Sequence, residues 1–245
     1  MKIDLRDYGY KPEFEPSLGE LGRIVRVDRG ECDVITTEGV LRVLSDSQRA
    51  QNLLAPVVGD WISIIEDPDL GFLINEILDR SNTVSRRDPS EQIIEQVLVA
   101  NIDHVFIVHG LDRPLPPGRL ERFLIIARDS KAEVSIVLTK ADQIEESSEL
   151  KTTIQAVAVD VPIFTVSLKS EPPEGLKALR DLMRVGKTIA LLGESGAGKS
   201  TLIKIIAGNF KQSSGTINFE NQKVEFSKPN LSEHCHPEYL GDYHL

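Results

Sequence analysis

One glycine-rich stretch constrains this chain more than any other part of its sequence. An apolar run leads into the segment Gly193-Glu194-Ser195-Gly196-Ala197-Gly198-Lys199-Ser200-Thr201. Its spacing matches the pattern G-x-x-x-x-G-K-S/T, which cradles phosphates when it lies between a strand and a helix. A strand-like run at 188–192 precedes the segment and a helix-like run at 202–207 follows it. The sequence therefore predicts a phosphate-binding loop.

Each residue type in this loop has a chemical reason to be there. Glycines let the backbone turn with positive φ and bring N–H groups close to phosphate oxygens, while the positive end of the following helix dipole points to the same place. Lys199 is predicted to bridge the terminal phosphates, and the Ser200 hydroxyl is predicted to take one position on Mg²⁺. The alternative is a loop that merely contains glycines, which the flanking strand and helix patterns disfavour.

Length, composition and charge narrow the class of protein. The chain has 245 residues with 40% hydrophobic content, which favours two domains with cores of their own. No apolar run approaches the ~20 residues that span a bilayer, so we expect a soluble, cytoplasmic protein with no membrane partner. A net charge of -10 argues against unspecific nucleic-acid binding but leaves a local RNA-binding face open. Cys32 and Cys235 are far apart, so no disulfide framework is indicated.

The N-terminal part has the pattern of a small β-barrel. Residues 1–20 mix prolines, glycines and charges and are predicted to be a mobile or loosely packed lead-in without a function. From 21 to 85, short alternating strands separated by turn residues suit an OB-fold, a shape often used to bind single-stranded nucleic acid. A barrel that only packs on its neighbour is the alternative, and the residues do not decide between the two.

A second domain is predicted over 86–245. Asp88, Pro89 and Glu91 have the types and positions of a helix cap, which predicts a helix over 89–99. Strands at 105–108, 134–138 and 163–166 then alternate with helices at 120–128, 147–157 and 176–183. Because these strands are continuous apolar runs, they favour a parallel sheet covered on both faces, an α/β architecture.

Polar residues follow two strands of this sheet. One group is Thr139-Lys140-Ala141-Asp142 and the other is Ser167-Leu168-Lys169. The carboxylate of Asp142 can accept two hydrogen bonds from guanine, which adenine cannot supply, and the stem of Lys140 can lie along the base. Ser167 and the backbone that follows it can support the base at its O6. The alternative for the first group is a solvated turn. Because the group lies between a buried strand and a phosphate loop in the sequence, guanine recognition is favoured.

Several blocks of sequence, in this order, resemble the circularly permuted GTPases that mature the small ribosomal subunit, the RsgA family. The resemblance covers about 21–201. It rests on Gly22-Arg23-Ile24-Val25, Pro56-Val57-Val58-Gly59-Asp60-Trp61, Arg86-Arg87-Asp88-Pro89, the block 95–103, Arg119-Leu120-Glu121-Arg122, the block 138–142 and the glycine loop. It implies an OB-fold barrel followed by a permuted P-loop GTPase domain, GTP and Mg²⁺ binding, ribosome-stimulated hydrolysis, and association with the small subunit through its rRNA. Arg23 and Arg26 are the first candidates for RNA contact.

The sequence departs from the family after Thr201, so the GTPase domain is predicted to be incomplete after about residue 210. Members continue with a threonine-rich switch, an Asp-x-x-Gly segment and a zinc-bearing domain. Here the only aspartate after residue 201 is Asp242, and Leu168 replaces the usual alanine after Ser167. His234-Cys235-His236 does not supply a four-ligand zinc site, so zinc is not predicted.

Three functions follow from these patterns. The first is a GTPase of small-subunit maturation, in which Lys199 and Ser200 carry the chemistry. The second is a non-hydrolysing GTP- or GDP-binding protein that binds the ribosome or RNA. The third is an adenine-nucleotide protein, because 214–217 and 224–226 resemble the start of a transporter-type ATPase domain. The upstream 180 or so residues favour the first.

Overall fold

The computed structural model describes residues 2–45, 54–87, 95–143, 148–167, 175–206, 217–219 and 222–224. The chain divides into two compact units, each of which is built from three separate segments of the sequence. The first unit comprises Met1–Asp103, Asp129–Ala132 and Val185–Thr188. The second comprises His104–Arg128, Glu133–Arg184 and Ile189–Leu245. The domain bounds expected from the sequence, at 20/21 and 85/86, stay predictions.

The first unit contains the predicted small barrel. Its strands are β1 (Glu20–Asp28), β2 (Glu31–Thr36), β3 (Gly39–Leu44), β4 (Trp61–Asp67) and β5 (Gly71–Ile77). They close in the order β1-β2-β3-β5-β4, and the parallel pair Leu44 and Leu73 joins β3 to β5. Alternate apolar side chains point inward and form the barrel core, among them Ile24, Val34 and Ile62. The expectation of an N-terminal β-barrel is confirmed.

The predicted helix over 89–99 is wrong in the part that the structure describes, 95–99. Strands β6 (Thr83–Arg87) and β7 (Glu95–Ala100) form an antiparallel hairpin instead, and residues 88–94 lie outside the described part of the chain. The β-branched run around Val97 and Val99 suits a strand, and Val84 and Val99 are buried. The Ala100 N–H also donates to the Val58 carbonyl (3.0 Å). Residues 95–99 therefore form a strand where the sequence predicted a helix, and the capping residues Asp88, Pro89 and Glu91 lie outside the described part of the chain.

The lead-in is also packed, contrary to the sequence expectation. It contains a short 3-10 helix at Leu5–Tyr8, and the side chains of Leu5 and Phe14 are buried. The Phe14 ring stacks on Trp61 with a centroid distance of 5.4 Å, and the Gly186 N–H donates to the Asp7 carbonyl (3.0 Å). Apolar rings between the charged residues thus anchor a segment whose composition is typical of a mobile terminus.

Arg23, one of the two candidates for RNA contact, lies in the interior of the first unit. It is only 6% exposed, and its guanidinium donates to the carbonyls of Tyr8, Gly59 (3.4 Å) and Asn101 (3.1 Å). Burial lowers the pKa of Arg23 to about 10, so it is charged at neutral pH. Arg23 joins the lead-in, β1 and the turn after β7, and the expectation that it lies on an RNA-binding surface is wrong. Arg26, by contrast, is exposed and pairs with Asp28 (3.2 Å).

The second unit is built on a parallel sheet. Its strands are β8 (His104–Gly110), β9 (Glu133–Thr139), β10 (Ile163–Thr165) and β11 (Ile189–Leu192), in the order β10-β9-β8-β11. Its helices are α1 (Pro117–Asp129), α2 (Ser148–Val157), α3 (Leu176–Leu182) and α4 (Lys199–Ile206). A separate antiparallel pair comprises β12 (Ile217–Phe219) and β13 (Gln222–Val224). Because all four strands of the sheet are parallel, their carboxyl ends lie at one edge.

Replacing Arg23 tests its structural role. We expect Arg23→Ala to lower the free energy of unfolding by about 2–4 kcal/mol, because three carbonyls lose a charged donor in the interior. Urea denaturation measures this change. Arg26→Ala, on the exposed face of the same strand, is the matched control and should stay within about 0.5 kcal/mol of the original chain. Equal stability of the two variants would contradict the assignment.

Candidate nucleotide-binding site

The glycine loop begins directly after β11 and ends in the first turn of α4. Gly196 and Gly198 have φ values of 77° and 92°, which favour glycine. A Cβ atom on Gly193 would lie 2.2 Å from the Val108 carbonyl oxygen, so a side chain there would collide with β8. The loop therefore has the backbone conformation and the close approach to the sheet for which its glycines were predicted.

Lys199 is enclosed by the loop that carries it. Lys199 is only 4% exposed, and its Nζ donates to the carbonyls of Gly193 (2.7 Å) and Glu194 (2.8 Å). Ser200 is half-buried and Thr201 is exposed in the first turn of α4, whereas Ala197 is buried. The ammonium and the Ser200 hydroxyl thus lie at the positive end of the α4 dipole.

Thr139, at the end of β9, holds the loop against the sheet. Its side chain is fully buried, and Oγ1 donates to the Ala197 carbonyl (2.6 Å). The same oxygen lies 3.1 Å from where a Cβ atom on Gly198 would be. The sequence placed Thr139 among the nucleotide-binding residues, and the geometry gives it a contact with the loop backbone.

The remaining polar residues of the strand ends lie at the same edge. Asp142 is exposed in a short 3-10 turn at Ala141–Gln143 and accepts a hydrogen bond from Ser167 Oγ (3.3 Å). Lys140 has a φ of 59°, a left-handed value that is costly for a residue with a side chain. The structure therefore brings Lys140, Asp142 and Ser167 to the edge that carries the glycine loop. Leu168 and Lys169 lie outside the described residues.

The connection between β8 and α1, together with the first turn of α1, contributes charged residues that sequence reasoning did not assign to the site. Asp112 accepts from Lys140 Nζ (2.7 Å), and this hydrogen bond holds the pKa of Asp112 below its usual value. Arg113 Nη1 donates to the Ser195 carbonyl (3.1 Å), and Arg119 Nη1 lies 2.6 Å from Glu194 Oε1. The sequence signal that could have pointed to these residues is their position shortly after a strand of the sheet. The sequence does not show which of them reach the loop, because that depends on the path of the chain between β8 and α1.

His109 fixes the start of this connection. It is buried at the end of β8, and Nε2 donates to the Arg113 carbonyl (3.0 Å). Burial lowers the pKa of His109, so the imidazole is neutral at pH 7. The hydrogen bond turns the chain back beside the sheet edge, which places the side chain of Arg113 against the loop.

The residues present fit a magnesium ion that is shared with a nucleotide. Mg²⁺ takes one or two protein oxygens and completes its shell with phosphates and water, and the Ser200 hydroxyl is in the position to supply one. Across the described ranges no group of three or more His, Cys, Asp or Glu side chains is placed to hold a metal by itself. The segment His234-Cys235-His236 lies outside those ranges. None of the described helices is both long and apolar enough to cross a membrane.

A glycine loop between a parallel strand and a helix, with the Lys140 and Asp142 strand end earlier in the chain, is the arrangement of the P-loop fold class in circularly permuted order. Comparison with protein families agrees with that class. The family model described as RsgA GTPase matches residues 77–224, more than half of the chain, and the chain belongs to this family. The match includes 214–217, where the sequence also resembles transporter-type ATPases.

Curated relatives carry the same family name. The chain is 37% identical over 209 residues to the small ribosomal subunit biogenesis GTPase RsgA of Streptomyces avermitilis, covering 82% of this chain and 55% of that protein. It is 39% identical to the protein of that name in Streptomyces coelicolor, covering 76% of this chain and 51% of the relative. The chain therefore spans about half the length of these relatives.

Solved structures share the fold. The crystal structure of YjeQ from Thermotoga maritima aligns with a TM-score of 0.60 at 26% identity, covering 79% of this chain and 67% of that one. YloQ, a circularly permuted GTPase, aligns with a TM-score of 0.55 at 22% identity, covering 87% and 74%. Together with the barrel and the parallel sheet, these likenesses confirm the predicted fold class.

The hydroxyl of Thr139 can be tested by an isosteric change. We expect Thr139→Val to lower the free energy of unfolding by about 1–2 kcal/mol, because the Ala197 carbonyl loses its hydroxyl donor in a buried position. Thr139→Ser keeps the hydroxyl and should keep more of the stability. Urea denaturation of both variants provides the comparison, and a valine variant as stable as the original chain would contradict the role of the hydrogen bond.

Proposed function

We propose that this chain binds GTP and hydrolyses it during maturation of the small ribosomal subunit. One observation carries the proposal: the strand end with Lys140 and Asp142 is joined to the glycine loop through the Thr139 hydrogen bond. The predicted base-binding segment and the predicted phosphate-binding loop therefore lie at one edge of one sheet, where open α/β sheets bind ligands. The names of the curated relatives support the choice of substrate and process.

The guanine base would be recognised by Asp142. Its carboxylate is exposed and oriented by Ser167, so it is available to accept hydrogen bonds from N1–H and the exocyclic amine of guanine. Adenine has no matching pair of donors. Lys140 would lie along the base, where Asp112 already holds its ammonium, and Ser167 with Leu168 and Lys169 would complete the base-binding edge.

The phosphates would lie over the amides of residues 193–198 and at the N-terminus of α4. Lys199 would exchange its two carbonyl partners for phosphate oxygens and stabilise the charge that develops on the transferred phosphoryl group. Ser200 would hold Mg²⁺, which when bound neutralises phosphate charge. Ser195, Gly196 and Thr201 would complete the phosphate-binding set. These assignments match the roles predicted from the sequence.

The proposed partner is the small ribosomal subunit with its rRNA, which implies a cytoplasmic location. Arg26 is the candidate RNA contact on the barrel that is exposed. Three carboxylates lie on β1 and the neighbouring strand β2, namely Asp28, Glu31 and Asp33, and all three pair with Arg42 of β3. Binding to RNA would therefore require Arg26 to exchange a carboxylate partner for a phosphate.

A guanine-nucleotide binder without turnover is the second candidate. The stretch 202–241 supports it, because it contains no aspartate that could orient the attacking water. Such a protein would use the same base-binding edge and the same loop. It would differ from the first candidate only in the absence of hydrolysis.

Turnover of GTP in the presence of purified small subunits tests the proposal. We expect stimulated hydrolysis by the original chain and a loss of about 10²-fold or more in Lys199→Ala, because a buried charge beside the phosphoryl group is removed. Lys177→Ala is the matched control, since Lys177 is exposed on α3 and pairs with Asp181. Turnover no higher than in Lys199→Ala would contradict the proposed hydrolysis, and tight GTP binding in the same samples would then support the second candidate.

A further inference from the structure

The glycine loop carries an acid, which a polyphosphate site has to accommodate. Glu194 follows the first glycine of the loop, and its side chain is 28% exposed. Its own carbonyl accepts from Lys199 Nζ (2.8 Å), so its backbone touches the ammonium that is expected to bind phosphate. A carboxylate at this place repels an incoming polyanion and competes with it for the lysine, and little solvent screening is available at a part-buried group.

Arg119 supplies a positive charge beside the Glu194 carboxylate. It lies in the first turn of α1, and its Nη1 is 2.6 Å from Glu194 Oε1, a distance typical of a charge-assisted hydrogen bond. Arg113, six residues earlier in the chain, donates to the carbonyl of the adjacent Ser195 (3.1 Å). Two consecutive loop residues are thus held by two arginines, but only Arg119 contacts a carboxylate of the loop.

We propose that Arg119 neutralises Glu194 and thereby allows the glycine loop to hold a polyphosphate. Arg119 is a positioning residue: it acts through Glu194 and not by contact with the nucleotide. Without Arg119, the freed carboxylate repels the phosphates and competes for Lys199. The inference rests on the proposed function in that the ligand of the loop is a guanosine polyphosphate.

The charge argument predicts a graded effect. Repulsion between the Glu194 carboxylate and the ligand grows with the number of phosphate charges. Arg119→Ala should therefore weaken the binding of a non-hydrolysable GTP analogue most, that of GDP less and that of guanosine least. Neutralising Glu194 should remove the defect, because the repelling charge is then absent. A general loosening of the loop would not be repaired by the change Glu194→Gln.

The experiment is a double-mutant cycle measured by equilibrium binding of the GTP analogue. We expect Arg119→Ala to weaken binding by about tenfold or more while Glu194 is present. The double variant should bind within about threefold of Glu194→Gln. Arg122→Ala, on an exposed position of the same helix, is the control and should bind like the original chain.

The same proteins are titrated with inorganic tripolyphosphate, which needs the loop but not the base-binding edge. Rescue of the Arg119→Ala defect by Glu194→Gln in both titrations supports the proposal. A double variant as weak as Arg119→Ala, or no binding of tripolyphosphate by the original chain, would overturn it. Binding of tripolyphosphate without binding of guanine nucleotide would overturn the proposed function, while the four variants would still decide the role of Arg119.

Discussion

The pairing of β11 with β8 is the interaction on which the nucleotide site depends. These strands are the last and the first of the sheet in chain order, and their parallel register sets Leu192 beside Ile107. The glycine loop leaves the sheet at that point, next to the end of β9. Directly before the two strands, Asp103 accepts from the Thr188 N–H (2.8 Å) and from Lys187 Nζ (2.7 Å). The strand end that carries Lys140 and Asp142 precedes the loop by about fifty residues in the sequence and lies at the same edge of the sheet.

The charges around the loop have internal partners. Lys199 donates to two loop carbonyls, Lys140 to Asp112, and Arg119 to Glu194. In the proposed function, nucleotide binding at this edge replaces the two carbonyl partners of Lys199 by phosphate oxygens, while the pair between Glu194 and Arg119 persists. Removing one partner of a part-buried pair leaves an uncompensated charge.

The sequence predicted the features that follow from local pattern and failed where tertiary contacts decide. The barrel strands, the parallel sheet and the glycine loop each have a short-range signature, in alternation, in continuous apolar runs, or in spacing. The helix predicted to run to Val99 was wrong at 95–99, because Val99 pairs with Val84 in a strand. Arg23 looked like a surface cation, since no pattern within β1 shows that carbonyls from three other segments converge on it.

Some residues of the candidate site could be predicted from the sequence and others could not. Asp142 and Lys199 could be predicted, because each follows a strand of the sheet at a recognisable spacing. Asp112 and Arg113 could not, because a tertiary contact, the hydrogen bond from His109 to the Arg113 carbonyl, fixes the path of their connection. Arg119 was visible as part of a family block, but its partner Glu194 lies far along the chain.

Competition of GTP and ATP for bound fluorescent GDP tests the central claim most directly, namely that this sheet edge selects guanine through Asp142. The original chain should prefer GTP by about 10²-fold or more, because adenine leaves the carboxylate without donors. Asp142→Asn should lose that preference and gain affinity for xanthosine triphosphate, which has a carbonyl oxygen where guanine has its amine. Equal affinity for GTP and ATP in the original chain, or an unchanged preference in Asp142→Asn, would contradict the account.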